Sequence, residues 1–311
     1  MLHKMLQLAG QLTSRGKLSI LIYHQVLSEF DPMRPTEPTA QMFDWQMRLL
    51  QQYFTPLSLD QALHHLKHNT LPPNAVCVTF DDGYLNNLTV AQPILAKYAI
   101  PATVYIATAF STGRNMWNDR LIHLFAAQSR QQLQLDDEQV QLGDWQDRRN
   151  KAQQWLKQLK YLPLAQRLDK IDQFYRQNNA DEQAALMMSP AQIKQLADCG
   201  VTIGAHTVNH PILKVIPEQQ QRQEINQSKQ QLESWLGSPV QHFAYPNGAK
   251  NTDFDDITVK LVESNGFVSA VTTDWGISTA DTSRYQLKRF TPWDKTAGHF
   301  HLRLIKNASG F

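Results

Sequence analysis

Only two cysteines, Cys77 and Cys199, occur in the 311 residues. A single pair is too few for a disulfide framework and lacks the spacing of a cysteine-held zinc ion. Both read as small buried residues. An excess of one charge is missing as well, since 30 basic side chains face 28 acidic ones for a formal net charge of +2. Without a wide positive field, binding by phosphate neutralisation is unsupported and no nucleic-acid partner is expected. Long apolar runs are also lacking. No window approaches the ~20 apolar residues of a membrane-spanning helix. A secretory signal needs an unbroken apolar run of ~7–15 residues, and Gln7 and Gln11 interrupt the N-terminal MLHKMLQLAGQLTSRGK. The expectation is a cytoplasmic protein.

What is present at the N-terminus is a helical pattern over about residues 1–14, with Leu2, Met5, Leu6, Leu8, Ala9 and Leu12 near helical spacing. The plainer reading packs this helix on the body of the protein. The other seats it peripherally on the inner face of a membrane, with Lys4, Arg15 and Lys17 toward the head groups. Further along, β-branched or aromatic runs predict strands at 18–23, 75–80, 102–106, 201–204, 241–245, 267–271 and 286–290. Helical signals fill the gaps. Ser58 with Gln61 and Ser189 with Pro190 read as helix starts, and Gly200, Gly237 and Gly266 as left-handed helix ends. Strands alternating with helices predict an α/β fold with a parallel sheet closed, or nearly closed, into a barrel. From about 116 to 188 no strand pattern shows. Aromatic anchors such as Trp117, Trp145, Trp155 and Phe174 recur among Gln, Asp and Arg, which predicts a helical insertion within one domain spanning 1–311.

Three strand ends carry chemistry. VCVTF runs into Asp81-Asp82-Gly83, where adjacent carboxylates raise one another's pKa. A solvated turn is one reading. A divalent metal on one carboxylate, with the other free to take a proton from water, is the second. After the next such strand comes His206-Thr207-Val208-Asn209-His210, two imidazoles four apart that can meet one ion, or two surface histidines. One carboxylate with two imidazoles leaves a coordination position open, as catalytic sites do. The third is Tyr245-Pro246-Asn247-Gly248, a plain turn or a turn whose N–H groups face a substrate oxygen.

TFDDG, HTVNH and YPNG together resemble, in order and spacing, the NodB-like polysaccharide deacetylases of carbohydrate esterase family four. The resemblance spans about 18–110 and 190–292 and extends to the branch acting on poly-N-acetylglucosamine. It implies a distorted seven-stranded (β/α) barrel and metal-dependent removal of acetyl groups from N-acetylated sugars. By position it makes Asp81 the general base, Asp82, His206 and His210 the metal ligands, and the Asn247 N–H an oxyanion donor beside Tyr245. Zinc is the expected ion, with cobalt, nickel and manganese as alternatives. The substrate would be an acetylated glycan or a lipid-linked sugar precursor.

The chain departs from that family in two places. Ala244 stands where many members carry an arginine that orients the base, and Leu287-Lys288-Arg289-Phe290 lacks the late histidine that acts as acid. His24, after the first strand, is the candidate acid, as in the branch with an early histidine. Arg289, always charged, is the candidate partner of Asp81. Asp274 and Trp275 resemble the motif that walls the acetyl pocket, with a core tryptophan as the other reading of Trp275, and Trp117 reads as a helix anchor, with stacking on a sugar ring as the alternative. A catalytically silent glycan-binding module and an O-acetyl esterase using the same site are the competing functions.

Overall fold

The computed structural model describes residues 2–309. In chain order the first elements are α1 (Leu2–Thr13), β1 (Ser19–Tyr23), α2 (Ala40–Tyr53), β2 (Thr55–Pro56), α3 (Leu59–His68), β3 (Ala75–Phe80), α4 (Gln92–Lys97) and β4 (Ala102–Ile106). There follow α5 (Trp117–Ala126), β5 (Gln132–Leu135), β6 (Glu138–Gln141), α6 (Trp145–Lys160) and α7 (Leu164–Gln177). The last group is α8 (Pro190–Asp198), β7 (Thr202–Ala205), α9 (Glu218–Leu236), β8 (His242–Ala244), α10 (Asp256–Ser264), β9 (Ser269–Trp275), β10 (Leu287–Arg289) and α11 (Ala297–Ser309).

The main sheet runs β1-β3-β4-β7-β8-β9-β10, every pair parallel, with β2 added at the start of β3. Its two ends meet: Ile22 N–H donates to the Phe290 carbonyl at 3.1 Å and Phe290 N–H to that of Ile20 at 3.0 Å. The result is a nearly closed barrel of seven parallel strands, as expected from the sequence. Side chains alternate across its wall. Leu21, Val78 and Val104 pack outward under the helices, while Ile20, Cys77, Tyr105, Ala244 and Leu287 form a separate inner cluster joined by Leu59, Ala62 and Leu66 of α3. Parallel strands put all their carboxyl ends on one rim, so the three sequence motifs converge there.

Ser58 and Ser189 both form capping boxes, with Gln61 and Gln192 respectively. Gly237 ends α9 in the left-handed conformation at φ 70°. Cys77 is buried as expected, but Cys199 is exposed, because it is the last residue of the α8 cap before the turn at Gly200.

The chain divides into two compact units, one made of the residues up to Glu29, Thr36–Thr112 and those from Met188 onward, the other of Phe30–Pro35 and Gly113–Met187. The second has its own core, in which Leu121, Phe125, Trp155, Ile171 and Phe174 are buried with Met33. Trp117 packs at this core's edge with the Arg167 guanidinium 4.7 Å from its ring. This stretch is not wholly helical. β5 and β6 pair as an antiparallel hairpin turned at Asp136, φ 55°, because Leu133, Leu135 and Val140 point into the core while Gln and Glu alternate outward.

Candidate active site

At the carboxyl end of β3 the chain turns sharply. Asp82 takes φ 74° and Gly83 φ 90°, and a Cβ on Gly83 would lie 2.8 Å from Ile106 Cδ1, so only glycine fits. The next rim segment is strained too, with Thr207 at φ 64° and His210 at φ 53°. A β-branched residue there is an outlier that the surroundings must hold in place. They do: Thr207 Oγ1 accepts from the His210 N–H at 3.1 Å. Glu224 of α9 accepts from the Val208 and Asn209 N–H groups at 2.9 and 2.8 Å and from Asn209 Nδ2 at 2.8 Å.

These turns bring Asp82, His206 and His210 together, with one donor atom from each lying within 4.8 Å of the others. Asp82 Oδ1 is 3.5 Å from both His206 Nε2 and His210 Nε2. His206 Nδ1 donates to the Ala244 carbonyl at 2.7 Å, which fixes the tautomer and leaves the Nε2 lone pair facing the carboxylate. Burial also lowers the His206 pKa, against the pull of Asp81, favouring the neutral ligand form. Two imidazoles and a carboxylate so disposed fit a divalent first-row ion and could hold one.

Asp81, buried beside this triad, is gripped by Arg289. Arg289 Nη1 donates to Asp81 Oδ1 and Nη2 to Oδ2, each at 2.7 Å, while Nε donates to the Thr272 carbonyl at 2.8 Å and Nη1 also reaches Thr79 Oγ1 at 3.2 Å. Arg289 is itself fully buried, so this fork is its answer to desolvation. Burial would raise the Asp81 carboxyl; the Arg289 charge and its paired hydrogen bonds bring its pKa down to about 2. His24 follows β1 on the same rim, half-buried. Burial lowers its pKa, but the Asp82 and Asp81 carboxylates outweigh that and leave it raised above 6.5.

Asn247 sits at φ 60° in the turn after β8, and its carbonyl accepts from Thr273 Oγ1 at 2.6 Å. Among the described residues no hydrogen-bond acceptor meets the Asn247 N–H. The Tyr245 side chain does not join the site: it is buried, stacks on Phe254 at 3.9 Å and donates its hydroxyl to the Tyr285 carbonyl at 3.0 Å. Asp274 Oδ1 accepts from the Lys250 N–H at 3.3 Å. Trp275, 45% exposed, packs against Phe290 and Trp293 at the end of β9. Glu224, Thr79 and Trp293 are the participants that sequence reading does not single out. Each acts through contacts between segments distant in the chain, which no local motif marks.

A family model described as polysaccharide deacetylase matches residues 68–268. The chain belongs to the polysaccharide deacetylase family. The Bacillus subtilis (strain 168) protein YxkH, named as a polysaccharide deacetylase, is 23% identical over 274 residues, 88% of this chain and 71% of that protein. Among solved structures, the Streptococcus pyogenes deacetylase PplD in complex with acetate superposes with a TM-score of 0.62 at 21% identity, covering 93% of this chain and 98% of that one. IcaB from Ammonifex degensii gives 0.61 at 19% identity, covering 94% and 97%. At these identities the structural likeness is one of fold.

Proposed function

Proceeding from that membership, we propose that the chain is a metal-dependent hydrolase that removes acetyl groups from the N-acetylated sugars of a glycan or a lipid-linked glycan precursor. The observation that carries this is the ionised Asp81, clamped by Arg289 directly beside the Asp82-His206-His210 donor set. A glycan-binding module would have no use for a buried base there.

Asp82, His206 and His210 would hold the ion, zinc by the preference of such donors with cobalt, nickel or manganese as substitutes. When bound, such an ion polarises a carbonyl oxygen and lowers the pKa of water toward ~7. Asp81 accepts the proton of the attacking water at a carboxylate oxygen. With a pKa of about 2 it is ionised at every physiological pH and so free to accept a proton, though a weak base. Arg289 holds both of its oxygens in one orientation through the transfer. The Asn247 N–H points its donor at the charge developing on the acetyl oxygen. His24 donates the proton that the departing nitrogen requires, since an amide anion does not leave unaided. An ester leaving group needs no such help, so a proton-donating histidine on this rim favours N- over O-deacetylation.

Acetate release from N-acetylglucosamine oligomers and from an O-acetylated glycan, with metal content measured alongside, tests the reading. The wild type should release acetate from the N-acetyl substrate only with metal bound. Asp82→Asn should lose metal and activity together, whereas Asp81→Asn should keep its metal and lose about 10²–10⁴-fold in kcat. Absence of metal-dependent acetate from any acetylated glycan overturns it.

A further inference from the structure

We propose that α1 docks the protein on an anionic lipid surface through Met5, Leu8 and Leu12. The helix is amphipathic, but it is mounted with its polar side inward. His3 Nδ1 meets His301 Nδ1 at 3.0 Å, the Gln7 carbonyl accepts from Asn74 Nδ2 at 3.3 Å, and just past the helix Ser14 Oγ accepts from the Asn74 N–H at 2.7 Å. Gly10 lies so close to the body that a Cβ there would be 2.4 Å from both Asn74 Oδ1 and Ile305 Cδ1. Met5, Leu8 and Leu12 therefore form a stripe on the opposite side, 63%, 62% and 76% exposed, and among the described residues they belong to no apolar cluster.

Charge selects the occupant. Lys4 and Arg15 are exposed beside the stripe, and no acidic residue precedes Glu29. α11, which packs against α1, has no acidic residue either. An apolar stripe with cations beside it on its own helix and no acidic residue before Glu29 matches the boundary between acyl chains and anionic head groups. A second copy fits poorly. Self-pairing would set Lys4 and Arg15 against their own kind, and three side chains fall far short of the ~800 Å² per partner of a stable interface. This inference is independent of the proposed reaction and its test needs no turnover.

The full chain is centrifuged with vesicles of phosphatidylcholine containing roughly one-third phosphatidylglycerol, with pure phosphatidylcholine vesicles alongside. Wild type should sediment with the anionic vesicles and much less with the neutral ones. Leu8→Ser/Leu12→Ser and Lys4→Glu/Arg15→Glu should each weaken partitioning by about tenfold or more, with an unchanged melting temperature showing that the fold is intact. The charge pair sits on exposed side chains, so it remains a fair test should the leucine pair fail to fold. The proposal is overturned if wild type does not sediment with anionic vesicles or both variants bind as it does. It is equally overturned if the stripe holds together a dimer that the leucine variant dissociates.

Discussion

At the scale of single residues, the site turns on how one buried cation and one buried anion answer each other. Asp81 and Arg289 are both out of water, and removing one partner of such a pair leaves an uncompensated charge worth about 3–5 kcal/mol of stability. Arg289→Gln should therefore lower stability by that order in urea unfolding at neutral pH. It should also withdraw the charge that holds the Asp81 pKa at about 2. The carboxyl then titrates higher, so activity should fall more at pH 5 than at pH 8, and the acid limb of kcat/KM should move upward. An unshifted limb would mean that Arg289 supports the fold alone. The loss of an arginine at Ala244 and the charge of Arg289 are both visible in the sequence. That the second pairs with Asp81 depends on β10 closing the barrel onto β1, beside β3, so that Arg289 reaches Thr79 and Asp81. Tyr245 shows the opposite case: adjacent in the motif, it faces the core because successive residues leaving a strand point to opposite sides.

At the scale of elements, the strands were legible because burial on both faces leaves continuous β-branched and aromatic runs between turns. β2 was not, being two residues long and including Pro56, and the β5–β6 hairpin was hidden by its glutamines, which read as helical surface. The segment from His206 to His210 illustrates what lies beyond local pattern. Its backbone is strained, and what restrains it is Glu224, a residue of α9 that accepts three hydrogen bonds from it. Glu224→Ala should free the segment without touching a metal ligand. The expected result is a ~10–100-fold weaker metal affinity in a chelator competition, with kcat at saturating metal largely kept. A loss of kcat that excess metal cannot restore would contradict a positioning role.

At the scale of the whole molecule, amphipathicity told that α1 has two faces but not which one turns inward, because that depends on α11, nearly 300 residues away in the chain. The contact at that junction has a consequence for stability against pH. His3 and His301 share one proton between facing Nδ1 atoms, and protonating both leaves two donors opposed. His301 is fully buried, and burial together with His3 lowers its pKa from 6.5 to about 4. The unfolded chain therefore takes up this proton before the folded one does. Stability from the neutral His301 is complete above pH 6.5 and is lost as the pH falls toward about 4. Burial lowers His206 as well, so part of any acid lability belongs to the barrel, whereas Asp81 contributes only below its unfolded value of 3.8. His301→Leu separates the sources. The melting temperature of the metal-free wild type should fall more steeply than the variant's between pH 7.5 and 4.5, because the variant lacks the proton that the wild type's unfolded state gains. Parallel curves would show that the His3–His301 contact does not couple α1 to proton concentration.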